Sequence, residues 1–246
     1  TVWLIMRDLK EDFARHISSE FNEELEELCT DLMKMGGLAE RQVRLAVECQ
    51  EQFDSALVEE IRSAENSVNA WEIRIDELVA SVIARRQPTA SDLRLVLAVS
   101  KIVRDLERAG DEATKVALMA QQAHESGRTS TVGLVEVRAI GGQVIRLLGD
   151  SLTAFARLDV DMALDIARRD KEVDRIYQSA LRSLATFMIE DPREIGHVLN
   201  VMWVLRALER VGDHATNVAE HVIYLVKGTD VRHLSVTNVE ETLKNI

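Results

Sequence analysis

The residues of this sequence best suited to chemistry are carboxylates at helical spacing. Glu107 and Asp111 stand four apart in Leu106–Ala117, LERAGDEATKVA, and Glu209 and Asp213 stand four apart in Leu208–Ala219, LERVGDHATNVA. On a helix that spacing puts both acids on one face, where like charges repel by about a few tenths of a kcal/mol. Each motif also carries a mid-helix glycine, Gly110 or Gly212, at a cost of about 1 kcal/mol relative to alanine. Two local penalties, each incurred twice, call for a reason. Upstream, Asp170 and Asp174 repeat the spacing, and Glu65 and Asn69 occupy the corresponding places in the first half. If neighbouring helices bring these pairs together, each half gains its own cluster of hard oxygen ligands, suited to Mg, Ca, Mn or iron; Zn and copper more often want His or Cys. The acidic stripe continues through Glu72 and Asp76 in the first half, where the second has Tyr177 and Leu181, so the two sites need not be equivalent. The competing reading is ion pairing with Arg108, Arg210 and their neighbours on a solvated face, with the glycines there for close helix contact.

Other reactive side chains form no such pattern. His214 and His221 are absent from the first copy of the motif, so they read as packing or surface residues, although His214 sits beside Asp213. Glu194 and His197 make one Glu-x-x-His, whereas ferritin-like di-iron bundles need two. No phosphate-cradling glycine loop or nucleophilic triad motif is present, so nothing points to catalysis. Trp3, Trp71 and Trp203 read as core or interface residues, and Arg85 and Arg86 suit a helix C-terminus.

The elements that must position these acids follow from an internal repeat. The two motifs match at nine of twelve positions across an offset of 102. Upstream the offset becomes 105: Gly36-Gly37 pairs with Gly141-Gly142, Asp54 with Asp159, Ile61 with Ile166, and Asn69 with Asp174. The three-residue difference falls near Pro88 and Pro192, at a turn. Apolar residues recur at spacings of three and four through three segments per half. The pattern predicts helices over about 8–52, 54–86, 89–126, 132–158, 161–190 and 192–227, with Asp54, Thr89, Asp159 and Asp191 as N-caps and Gly228 as the final stop. The fold class is all-α: two repeated antiparallel three-helix bundles, 1–126 and 132–228, then a tail over 229–246.

Composition agrees and narrows the partners. Two prolines, eleven glycines and 4% aromatics suit long helices. With 42 acidic against 30 basic residues the formal charge is −12, which disfavours nucleic acid and suits cations or a basic protein surface. Cys29 and Cys49 lie about 30 Å apart on one expected helix, too far for a disulfide. Thr1–Met6 is apolar for six residues only and does not read as a signal peptide, and no stretch reaches the roughly 20 apolar residues that span a bilayer. A cytoplasmic chain without direct membrane insertion is expected.

The sequence resembles the PhoU family along essentially its whole length. The resemblance rests on Phe21–Leu25 (FNEEL), Met35–Leu38 (MGGL), Ala84–Arg94 (ARRQPTASDLR) and the two Glu-Arg-x-Gly-Asp motifs ending at Asp111 and Asp213. It implies a non-enzymatic negative regulator of the phosphate regulon, coupling the ATPase subunit of the phosphate ABC transporter to a phosphate-sensing histidine kinase. It also implies a homodimer, with metal ions (iron, Mn, Mg, Ca or Zn) at two sites: Glu65, Asn69, Glu107 and Asp111 in the first bundle, and Asp170, Asp174, Glu209 and Asp213 in the second. Asn69 stands where the family pattern has an acid. The alternatives are a ferritin-like metal-storage protein and a helical adaptor without metal.

Overall fold

The helices form where apolar residues return every three, four or seven positions. In the second helix the buried side chains are Val58, Ile61, Val68, Ile75, Val79 and Val82, one stripe along a single face. The computed structural model describes residues 19–127, 130–232, 234 and 238–239. Among these it contains α1 (Ser19–Glu51), α2 (Ser55–Arg86), α3 (Ala90–Glu125), α4 (Leu134–Arg157), α5 (Val160–Glu190) and α6 (Ile195–Lys227), with a 3-10 turn at Pro192–Glu194. The expected start of the first helix at residue 8, Trp3 and much of the 229–246 tail lie outside the described residues.

The predicted stops hold with two local corrections. Asp54 caps α2 by accepting from the Ala56 amide at 2.8 Å, and Asp159 caps α5 by accepting from Met162 at 2.9 Å. Thr89 occupies the cap position of α3, but its hydroxyl makes no capping bond. Asp191 caps the 3-10 turn rather than α6, because Pro192 at its first position favours a tight turn before the α-helical ladder begins at Ile195. Gly228 closes α6 at φ +72°, a left-handed conformation suited to glycine.

Helices α1–α3 pack as one three-helix bundle and α4–α6 as the second. The halves are joined along two seams, α3 against α6 and α1 against α4, so most buried apolar residues of both form one continuous core, with Cys49, Val58 and Ala120 in a small separate cluster. The α1–α4 seam is reciprocal. A β-carbon on Gly36 would lie 2.4 Å from Leu152, and one on Gly141 would lie 2.7 Å from Val47. Gly141 and Leu152 are the repeat counterparts of Gly36 and Val47, each at the 105 offset. Each half thus presses one branched side chain onto the other's bare helix backbone, the mutual contact expected of a two-fold relationship. Cys29 and Cys49 are buried free thiols.

Candidate functional site

In the second bundle, α5 and α6 run antiparallel, and Gly212 of α6 faces Asp170 and Val173 of α5. A β-carbon there would meet Asp170 Oδ1 at 3.1 Å and Val144 at 3.4 Å, so the glycine lets the Asp170 carboxylate lie against the backbone of α6. Asp170, Asp174, Glu209 and Asp213 then interact as a group. Burial raises the Asp170 carboxyl to about 7, aided by Asp213, Asp174 and Glu209. Burial also raises Glu209, with Asp213 and Asp174 adding to it and Arg206 opposing. Asp213 is raised in the same way, by displaced water and by Asp174, although the residue as a whole is exposed. The four residues expected in this half thus lie within electrostatic reach of one another.

The first bundle is built differently. Burial raises Glu107, followed by the charges of Asp111 and Glu72. Glu72 is raised by burial and then by Asp76, with a smaller contribution from Asp111. The carboxylates meeting here are therefore Glu72, Asp76, Glu107 and Asp111, with Arg104 and Arg108 close by. Glu65 and Asn69 lie half-buried on the same helix, toward its N-terminus, and the main influences on Glu107 are burial, Asp111, Glu72 and Arg108 instead. Gly110 makes room here for Gln42 of α1, whose Nε2 donates to the Gly110 carbonyl at 3.3 Å and to Thr114 at 3.1 Å.

Ion pairing accounts for part of this acidity. Arg206 donates to both Glu209 oxygens at 2.6 and 2.7 Å, and Arg210 reaches across to the buried Glu112 at 3.0 Å. Among the described residues no three His, Cys, Asp or Glu side chains converge closely enough to hold a metal ion as they stand. The donor set nevertheless suits a hard cation. Carboxylates on two adjacent helices are left partly desolvated and mutually repelling, and Arg206 and Arg210 only partly offset this at Glu209 and Asp213.

One polar cluster is not foreshadowed by the repeat. Asp105, buried on α3, accepts from His214 Nδ1 at 3.0 Å and Asn217 at 2.9 Å, both on α6, and lies 3.5 Å from His221 Nε2. Burial alone would raise its pKa, but these hydrogen bonds outweigh it and hold the carboxyl at about 2. The two histidines thus belong to the seam between halves. Their absence from the first motif copy was the only sequence signal. Glu220, also on α6, is raised to about 7 by burial and then by Asp230.

Arg85 and Arg86 tie the end of α2 to Glu20 and Glu24 at the start of α1. Trp71 packs against the core with Lys34 and Arg74 over its ring, while Trp203 is 63% exposed beside Leu199 on the outer face of α6. His197 Nε2 donates to the Val132 carbonyl at 2.9 Å, so that nitrogen is not a metal ligand. No helix among the described residues is long and apolar enough to cross a membrane.

Set beside known proteins, the chain matches the family pattern described as the PhoU domain twice, over residues 32–120 and 137–222. The phosphate-specific transport system accessory protein PhoU homolog of Pseudomonas aeruginosa is 52% identical over 236 residues, covering 96% of this chain and 97% of that protein. The accessory protein PhoU of Escherichia coli is 41% identical over 229 residues, covering 93% and 94%. The crystal structure of PhoU from Pseudomonas aeruginosa superposes with a TM-score of 0.82 at 54% identity, over 85% of this chain and all of that one. The PhoU regulatory protein of Streptococcus pneumoniae gives 0.78 at 26% identity, over 86% and 99%.

Proposed function

This chain belongs to the PhoU family, and on that premise we propose that it is an accessory protein of phosphate-specific transport. It restrains the phosphate response by binding, and it turns over no substrate. The observation that carries this reading is the likeness along nearly the full length to a protein named for that role. The finer reading is a cytoplasmic homodimer that bridges the transporter's ATPase subunit and a phosphate-sensing histidine kinase. The acidity of the chain supports a protein surface rather than DNA as the partner.

The carboxylate clusters are the proposed metal sites. Asp170, Asp174, Glu209 and Asp213 would hold a cation in the second bundle. Glu107 and Asp111 would do so in the first, with Glu65, Asn69, Glu72 and Asp76 as the available partners on α2. The raised carboxyls of Asp170, Glu209 and Asp213 support this, because a cation offsets both the repulsion and the lost hydration that raise them. When bound, the ion supplies positive charge that fixes α5 against α6. The residues themselves set the carboxylates on adjacent helices.

Metal content and capture of the transporter ATPase and the kinase, measured on one purified sample, test the proposal. Capture of both partners with metal present is the expected result. Failure to capture either partner, or phosphatase or ferroxidase turnover that a single carboxylate substitution abolishes, would overturn it.

A further inference from the structure

Glu209 already holds a cation of the chain's own. A single nitrogen, Arg206 Nη1, lies between the two carboxylate oxygens, 2.6 Å from Oε1 and 2.7 Å from Oε2. The Glu209 side chain is 10% exposed and that of Arg206 48%, so the guanidinium closes the carboxylate from the solvent side. When a carboxylate chelates a calcium ion, both of its oxygens lie about 2.3–2.6 Å from the ion. The nitrogen therefore takes the position from which Glu209 would grip a metal, and the two occupants exclude each other.

Spacing alone does not produce this contact. Arg104 and Glu107 stand at the corresponding places in the first half, also three apart. There the leading cationic influence on Glu107 is Arg108, and Arg104 acts on Glu72 of α2. Among the described residues the Arg-x-x-Glu pair is closed in the second half only. Arg210, the counterpart of Arg108, is committed to the buried Glu112 of α3 at 3.0 Å.

Resting on the metal reading above, we propose that Arg206 is a tethered competitor at the second carboxylate cluster: it sits on Glu209 while the cluster is empty and leaves when a hard cation binds. The second cluster then fills less readily than its four acids alone would dictate. Each filling also sets a guanidinium free on the outer face of α6, one turn from Trp203, which is 63% exposed. Occupancy of the site thereby changes the charge beside an exposed aromatic, and Trp and Arg are the side chains most enriched where protein interfaces hold tightest.

The test is manganese titration of the full chain, with free Mn²⁺ read by electron paramagnetic resonance. Every sample carries Glu107→Gln and Asp111→Asn, so that the second cluster alone is followed. Arg206→Gln should bind Mn²⁺ about tenfold more tightly, the scale of a hydrogen-bonded charge pair at a half-exposed arginine. Arg210→Gln takes an equal charge from the same neighbourhood without vacating Glu209, and should change affinity by less than about threefold. With Arg206 intact and its side chain ¹⁵N-labelled, saturating Mg²⁺ should move the Arg206 resonance toward that of a solvated guanidinium. A competitor gives tighter binding when removed, whereas an arginine that only positions Glu209 gives weaker binding. Weaker or unchanged affinity in Arg206→Gln, an equal gain in Arg210→Gln, or an unmoved Arg206 resonance overturns the proposal and leaves the metal reading standing. Absence of saturable Mn²⁺ binding up to about 10 mM in all of these chains overturns both.

Discussion

Asp105 accepts a hydrogen bond from His214 Nδ1 at 3.0 Å across the α3–α6 seam, although their repeat counterparts are Ala207 and Glu112. The link therefore exists in one direction only, and the two halves differ there. Removing the carboxylate leaves His214, His221 and Asn217 facing a buried void. Asp105→Ala should lower the stability of the whole chain by about 2–4 kcal/mol in urea unfolding, and Asp105→Asn by less. A midpoint unchanged in the alanine variant would show that the cluster is not holding the seam.

The adjacent glycines of α1 should respond in opposite senses to alanine. Gly36→Ala drives a methyl group into Leu152 and should destabilise by about 1–3 kcal/mol. Gly37 has no heavy atom near its β-carbon position and is exposed, so Gly37→Ala should stabilise by about 0.5–1 kcal/mol. Thermal unfolding of both variants checks the pair; a shift of the same sign in both contradicts the packing described.

In metal-stripped protein, stability should fall as pH rises from about 4 to about 7. Asp170 is raised from 3.8 to about 7, so in that window the folded protein holds a proton that the unfolded chain has lost. More protons on the folded state means stability declines with pH. Glu220, raised to about 7, acts in the same direction. Asp170→Asn should therefore roughly halve the slope rather than abolish it. Saturating metal, which binds the deprotonated cluster, should reverse the sign. Melting curves at several pH values with and without chelator decide this.

Metal affinity should divide by bundle. Glu209→Gln with Asp213→Asn should remove metal from the second half only, Glu107→Gln with Asp111→Asn from the first only, and the combination from both. Gly212→Ala offers a subtler probe, because its methyl group would displace the Asp170 carboxylate by a few tenths of an ångström. The gain in helix propensity should roughly offset that crowding, leaving stability within about 1 kcal/mol. Affinity at the second cluster should nevertheless fall. Elemental analysis of each variant gives the answer, and complete loss in either double variant alone indicates one shared site.

The helices and their ends were legible because spacing and capping are local: Asp54 and Asp159 cap as their sequence positions predict. The second carboxylate cluster was equally legible, since Asp170, Asp174, Glu209 and Asp213 need only helical spacing and an adjacent helix. In the first bundle the sequence pointed to Glu65 and Asn69 by repeat correspondence, whereas Glu72 is the α2 acid that perturbs Glu107. One turn of difference along α2 is a matter of helix registry, which the pattern leaves open. The Asp105 cluster was not legible at all, because it joins residues 109 and 112 positions apart without repeat counterparts. Trp203, expected in the core or at an interface, is not in the core: it lies 63% exposed.

Leu152 pressed onto Gly36 and Val47 onto Gly141 have a consequence for any attempt to divide the molecule. Each half ends in a surface shaped to receive a copy of itself, so a lone bundle would be sticky toward its own kind. Cutting the connection between Gly127 and Ser130 should give fragments that find each other and restore the intact shape, and a fragment produced without its mate should pair with itself. The chain is in this sense a dimer closed by a covalent tether, and the tether sets which copy each half meets.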